Sequence, residues 1–571
     1  MLSREKLASW LPSSVKALAH YDRRTFLHDA LAGVTVGLVA LPLAMAFAIS
    51  SGVSPEAGIY TAVVAGFLIS ALGGSRVQIG GPTGAFVVVI FGIIARHGLD
   101  GLFMCTLMAG ALLVLMGLTG MGTAVDFLPR PVVVGFSNGI ALLIASTQIK
   151  DFFGLKLASV SGVFLPRMIE LTHALPTFSA TATALAAAAV IVVAVCQRRF
   201  RHVPGATVAL VAGTLAVRLL HLHVETIGSR FGGIPAGLPP IHIPHFRPEM
   251  IHPLLLPAVT VAMLSAIESL MSATVADRMA GDRHNPNVEL VAQGLANLAS
   301  PLVGGIPATG AIARTATNIR SGGRTPVAGM IHSLTLLVVL LVASPLARDV
   351  PLAVLAGILL VVAYNMGDWL EVRDILKLSK TDISVWLATF GLTVFADLTA
   401  AVTTGMIMAA LLAIRKVAVT TSVVEETGEE IEAARVHLLQ GRDVPEYAVV
   451  YRVLGPLLFG SADKLAEIAR RGEGLPPIVI LRLRTMTAID GTGLGALEDL
   501  ADRLHESGRT LILAGAREQP AQLMAQAEFH DHIGRENICD NVQQALERAA
   551  RVHAESPTAT AGPLTPGRTR E

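Results

Sequence analysis

The chain has 571 residues, 52% of them hydrophobic and only 15% charged, with a mean hydropathy of +0.60. A soluble domain carries about a quarter charged residues, so this composition excludes an ordinary soluble protein and predicts a polytopic membrane protein. The formal net charge of +1 excludes a general nucleic-acid binder, which needs a basic surface against phosphates. Residues 1–28 are polar and basic, with Arg4, Lys6, Lys16, Arg23 and Arg24, and predict a cytoplasmic N-terminal segment holding a surface helix. The first apolar run begins near Ala30 and is long enough to span, so it reads as a retained helix and not a secretory leader.

Charge-poor runs then recur at 30–55, 57–75, 77–95, 101–125, 131–149, 175–197 and 203–217. A polar stretch from His221 to His252 separates them from a second set. That set begins near Pro253, contains Glu268, and continues through 290–313, 325–347, 350–367 and 383–396 to 398–414. Counting 290–313 as two short spans broken near Gly304 gives fourteen spans, seven in each of two repeats at about 29–222 and 253–416. Arg76, Arg130, the Arg198, Arg199 and Arg201 cluster, Arg278, Arg283, Arg320, Arg324 and Arg373 all follow even-numbered spans. By the positive-inside bias both termini are predicted cytoplasmic.

Beyond Lys416 the text changes. Glu425, Glu426, Glu429, Glu430 and Glu432 mark an acidic linker over 417–445, and soluble sequence follows over 446–552. Strands at 447–453, 478–483 and 510–514 alternate with helices, the last near 542–552, which predicts a small cytoplasmic α/β domain. Residues 553–571, with Pro557, Pro563 and Pro566, read as a disordered tail. Cys105, Cys196 and Cys539 are too scattered for a disulfide framework or a zinc site. His221, His223, His242, His245 and His252 are spaced irregularly, as in a solvated loop, so neither a metal nor any other cofactor is expected.

Two distant passages carry nearly the same text: Gly80-Gly81-Pro82-Thr83-Gly84-Ala85 and Gly304-Gly305-Ile306-Pro307-Ala308-Thr309-Gly310-Ala311. Each reads as a helix beginning inside apolar sequence. A helix that starts at bilayer depth leaves amide hydrogens unpaired, so it must face an enclosed or wet cavity. Two such starts aimed at one point offer donors and two positive dipole ends, which suits a small anion. The amides near Thr83, Gly84 and Ala85, and near Gly310, Ala311 and Ile312, are the candidate contacts. Phe47, Tyr60, Phe86 and Phe91 are candidates to wall the site, against ordinary core packing.

The run Leu41-Pro42-Leu43-Ala44-Met45-Ala46-Phe47-Ala48, the passage Ser51-Gly52-Val53-Ser54-Pro55 and Gly73-Gly74-Ser75-Arg76 before Gly80 resemble the SulP family of sulfate permeases and related anion transporters. Glu268-Ser269-Leu270, Gly281-Asp282-Arg283-His284, Gly310-Ala311-Ile312-Ala313-Arg314-Thr315 and Gly322-Gly323-Arg324-Thr325-Pro326 extend the resemblance, which covers about 25–550. It implies two inverted seven-span repeats divided into core and gate, elevator-like transport of sulfate, C4-dicarboxylate or bicarbonate, a homodimer, and a C-terminal STAS domain open to a cytoplasmic partner. Val479-Ile480-Leu481-Arg482-Leu483 and Ile489-Asp490-Gly491-Thr492-Gly493-Leu494 carry the STAS likeness. Gly491 stands where related antagonist proteins have a phosphorylated serine, which leaves Thr492 as the neighbouring hydroxyl.

The resemblance also places an arginine of the anion site at Arg314, and a guanidinium suits oxyanions by its bidentate fork. Glu268, an acid at depth, is the candidate proton acceptor for coupled uptake, with Ser272 beside it. The sodium-coupled branch of the family carries Asp and Thr where this chain has Glu268, Ser272 and Ile312. Ile312 offers no side-chain oxygen, so a proton is expected over sodium. Two other readings stand beside transport of an anion: an anion-gated sensor signalling through the STAS domain, and nucleobase transport on the same fold. The expected location is the bacterial inner membrane, and no enzymatic role is read.

Overall fold

Long apolar stretches become helices because hydrocarbon leaves the backbone no partner but itself. The computed structural model of the chain describes residues 10–555 apart from 20, 123–129, 158–159, 201–202, 236, 242–243, 245–246, 368, 397–403, 405–406, 409–410, 413–420, 426–443, 459–462 and 472–473. Within them, α1 (Ser13–Leu18) precedes α2 (Arg23–Ser50), α3 (Pro55–Leu72) and α4 (Phe86–Leu118). There follow α5 (Arg130–Phe153), α6 (Phe164–Ala174), α7 (Ala180–Arg199) and α8 (Gly205–Leu220). The second set comprises α9 (Ile251–Ala280), α10 (Pro286–Ala299), α11 (Ile312–Arg320), α12 (Pro326–Ala347), α13 (Leu352–Met366) and α14 (Lys380–Phe395). Among the described residues eight helices are long and apolar enough to cross a membrane. The last expected span, 398–414, lies largely outside the described residues.

Local chemistry sets the helix ends. Asp22 accepts the Thr25 amide, so α2 starts inside the segment expected to be a polar leader. Asn285 caps α10 and Thr325 caps α12, each followed by a proline at the first helical position. Gly98, at φ 70°, breaks α4 into a half-helix from Phe86 and a second limb reaching Leu118.

The helices pack in two groups. One joins α2, α3, α4, α9, α10, α11 and α12; the other joins α5, α7, α8, α13 and α14. Two buried carboxylates staple the first group where backbone turns back. Asp29 accepts the amides of Arg324 and Thr325 at 2.8 and 3.2 Å, the Thr325 hydroxyl at 2.5 Å and the Tyr21 hydroxyl at 3.1 Å. Glu289 accepts the amides of Gly74 and Ser75 at 2.9 and 3.1 Å and the Gln293 amide at 2.9 Å.

The second compact unit, 408–571, is described by itself. Its sheet runs β3 (Ser422–Glu425), β4 (Ala448–Leu454), β5 (Ile478–Arg482), β6 (Thr510–Ala514) and β7 (Ile538–Cys539) in that order, with β3 antiparallel and the others parallel. Val449, Tyr451 and Val453 face the helix Gly491–Glu506, while Ala448 and Val450 face the helix Val542–Glu555. β3 falls inside the stretch expected to be linker. A four-residue edge strand ending in Glu425, half-buried throughout, carries too little apolar alternation to stand out from acidic text. Thr492 is exposed in the first turn after the Asp490 cap.

Replacing Asp29 by Ala leaves four donors without their acceptor and is expected to lower stability by about 3 kcal/mol, with Asn recovering part of the loss. Equilibrium unfolding in detergent checks this; a loss under about 1 kcal/mol would contradict it.

Candidate anion site

The two duplicated passages meet. β1 (Gly80–Gly81) pairs antiparallel with β2 (Thr309–Gly310), Gly80 opposite Gly310 and Gly81 opposite Thr309. Extended backbone within the helix bundle needs partners on every side, and polar side chains supply them. Thr61 accepts the Ile306 amide at 2.7 Å, Asn297 bonds both the amide and carbonyl of Ala308 at 2.9 and 2.8 Å, and Asn318 donates to the Val77 carbonyl at 2.9 Å. Thr315 accepts the Ile79 amide at 3.0 Å. Composition assigned none of these residues this part: Thr61 and Asn297 are single polar positions in apolar helices, and Thr315 and Asn318 share the buried face of α11 with Arg314.

From this crossing the two half-helices depart, with Ala85 and Ala311 at equivalent N-cap positions. Among the described residues the backbone amides of Thr83, Gly84 and Ala85 have no acceptor. The Thr83 hydroxyl donates to Glu268 Oε2 at 2.8 Å, tying α9 to the start of α4. Arg314, 3% exposed, donates through Nη2 to the Pro82 carbonyl, and its Nη1 has no partner. Glu268 and Arg314 form no direct ion pair and instead flank the Pro82–Thr83 turn. Gly81, at φ 142°, leaves room for the guanidinium: a Cβ there would lie 2.7 Å from Nη1.

The two halves of the motif are not used alike. Gly84 faces the boundary between the two helix groups: a Cβ there would meet Ile144 at 2.9 Å and Met366 at 3.4 Å from the second group and Phe47 at 3.2 Å from the first. Gly310 is walled in instead, its Cβ direction running into the Gln78 side-chain amide. The Ala311 amide, expected to face an anion, donates to the Ile79 carbonyl at 2.8 Å, because the strand pairing continues one residue further than the motif suggests. Ile312 is 39% exposed at the start of α11. The Ser272 hydroxyl, expected beside Glu268 in coupling, is fully buried against Thr315 at 3.1 Å. Phe47 stays at the site. Tyr60 and Phe86 are core, and Phe91 lies against Gly52 and Gly162. His332, unremarked in the sequence, is fully buried with neither ring nitrogen bonded. No histidine, cysteine and carboxylate grouping suits a metal ion among the described residues.

An inverted pair of interrupted helices, crossing as strands with a buried arginine at the junction, defines a helical membrane transporter of the inverted-repeat class. Residues 26–389 match the sulfate permease family and residues 441–545 match the STAS domain, and the chain belongs to that anion-transporter family. It is 41% identical over 529 residues to YvdB of Bacillus subtilis (strain 168), provisionally named a sulfate transporter, covering 91% of this chain and 97% of YvdB. It is 30% identical over 540 residues to the bicarbonate transporter BicA of Picosynechococcus, covering 92% of this chain and 95% of BicA. The solved structure of SLC26A9 shares the fold at a TM-score of 0.85 and 16% identity, over 98% of this chain and 95% of its own.

Gly310→Ala is expected to lower the thermal unfolding midpoint by several degrees, and adding Gln78→Ala to recover part of the loss, since the closest clash is with that side chain while its bond to the Ser269 carbonyl is given up. Thermal unfolding of both variants in detergent tests the pairing; additive losses would contradict it.

Proposed function

We propose that the chain is a secondary active transporter of small oxyanions, driven by protons, in which the helix group bearing the site moves elevator-like against the other. One observation carries the reading: the buried Arg314 keeps Nη1 unpartnered beside a turn whose amides at Thr83, Gly84 and Ala85 are also unbonded. An unpaired buried cation is costly, so such a grouping fits a position where charge compensation arrives with the ligand. Ile312 and the second half-helix close the same junction from the other repeat, although Gly310 and Ala311 serve it through strand pairing. The names of YvdB and BicA point to sulfate and bicarbonate, and a small dicarboxylate fits the same donors.

Glu268 is the proton acceptor in this reading. Its bond to the Thr83 hydroxyl means that gain or loss of its charge is felt at the helix start that holds the anion. Uptake of a proton there offsets one negative charge as the substrate enters. Ile312 brings no side-chain oxygen for sodium. The same proposal takes residues 29–416 as the transporter, both termini as cytoplasmic, the bacterial inner membrane as the location, a homodimer as the assembly, and the STAS domain as the surface for a cytoplasmic partner.

Purified protein in proteoliposomes tests this with a panel of sulfate, bicarbonate, C4-dicarboxylates and uracil under separate pH and sodium gradients. Accumulation of an oxyanion under an inward proton gradient is expected. Arg314→Gln is expected to weaken its apparent affinity about tenfold or more, the worth of a charge-assisted hydrogen bond. Glu268→Gln should retain downhill flux and lose accumulation driven by pH. Binding without flux would favour the sensor, uracil uptake the nucleobase carrier, and sodium dependence at fixed pH would remove the role given to Glu268.

A further inference from the structure

A second buried guanidinium lies outside the site. Arg167 on α6 is 2% exposed and, among the described residues, its hydrogen bonds go to carbonyl and hydroxyl oxygens and not to a carboxylate. Its Nε donates to the Ser161 carbonyl at 2.9 Å, Nη2 to the Gly162 carbonyl at 2.8 Å, and Nη1 to the Ser146 hydroxyl at 2.8 Å on α5. One turn on, Glu170 accepts the Ser161 amide at 2.7 Å. Both charges of α6 are thus used to fix the backbone of residues 161 and 162 against α5. Fixing a surface segment with a buried cation is expensive, and it places that segment on one particular neighbour.

The neighbour is Phe91, on the half-helix that starts at the anion site. A Cβ at Gly162 would lie 2.7 Å from Cε1 and 2.9 Å from Cδ1 of the ring; a Cβ at Gly52 would lie 3.5 Å from Cδ2 and 3.7 Å from Cε2. The ring is therefore clasped edge to edge between two glycines, one from the turn after α2 and one from the segment before α6 that Arg167 fixes against α5. At the same end of α2, Gln148 of α5 donates to the Ser50 hydroxyl at 3.0 Å. Beneath that bond is a recess lined by Ala46, Ser50, Gln148, Leu355 and Ala356. Phe91 and Ser50 belong to elements that carry the site, while Gly162 and Gln148 belong to elements that do not.

We infer that the Ser161–Gly162 strap is a latch: with Phe91 in the clasp, the recess between the two helix groups is shut on the side where α2 ends, and the site opens to that side only when the ring leaves. This rests on the alternating movement proposed above. Because Gly162 does not lie at positive φ, an alanine there changes only the space available to the ring.

The test uses a full-length chain with the three native cysteines replaced by serine and a reporter Ala356→Cys in the recess, reconstituted and labelled from the α2-end side with a membrane-impermeant maleimide. Gly162→Ala and, separately, Phe91→Ala are expected to raise the labelling rate about fivefold, a modest shift of a two-state population. Unchanged labelling in both variants overturns the latch, whatever the flux. Anion flux by the parent chain is scored independently: if it is absent while labelling responds, the latch stands and the transport reading falls. Phe91→Ala leaves a cavity, so Gly162→Ala, which removes no side chain, decides the matter if the former unfolds.

Discussion

The architecture depends on an antiparallel contact only two residues long on each side. Gly80–Gly81 and Thr309–Gly310 are extended backbone in the middle of a helix bundle, where every unpaired amide or carbonyl is penalised. Pairing the two segments satisfies part of the demand, and Thr61, Asn297, Thr315 and Asn318 satisfy much of the rest. The effect is directional. Once the approaches are tied to each other, the helices that follow must begin at the junction, and their first amides have nowhere else to point. The site follows from solving a backbone problem at depth.

That solution was partly legible in the sequence. Glycine, proline and threonine in the same order at two places in apolar text mark two interrupted helices, and Ala85 and Ala311 do sit at matching N-caps. What the letters do not carry is register. The strand lies five to six residues before the first half-helix and two to three before the second, so Thr83 reaches Glu268 while Thr309 is sealed against Ser269. For the same reason Gly84 faces open toward Phe47, Ile144 and Met366, and Gly310 faces Gln78. Identical residues acquire different roles because the two segments share one pair of hydrogen-bonded edges and cannot both present the same face.

Other features were illegible for simpler reasons. Asp29 and Glu289 look like helix-end charges, yet each caps a backbone segment more than 200 residues away, a relation that only the folded chain creates. Ser272 was read through its neighbour Glu268, one turn away on the same face of α9, but its hydroxyl is taken up by Thr315 of α11, a contact that only the fold creates. β3 was hidden because edge strands are short and charged by necessity. The hydropathy blocks and basic loops were plain because lipid imposes them on whole segments, not on single contacts.

Arg167 and Arg314, the arginines buried among the described helices of the first unit, are hidden in two different ways. A guanidinium has five N–H donors in a rigid fork, and burial is tolerable when they are used. Arg167 uses Nε, Nη1 and Nη2 on carbonyl and hydroxyl oxygens, with Glu170 one turn away bonded to the Ser161 amide and not to the guanidinium, so its geometry is fixed by neutral dipoles. Arg314 is equally hidden but places one nitrogen on Pro82 and leaves Nη1 without an acceptor, with Glu268 held away by Thr83. Were Glu268 paired directly with Arg314, each would cancel the other and neither would respond to a third charge. Held on opposite sides of the Pro82–Thr83 turn, each keeps a separate contact, the cation on a carbonyl and the acid on a hydroxyl, and the proposed anion and proton roles rest on that separation.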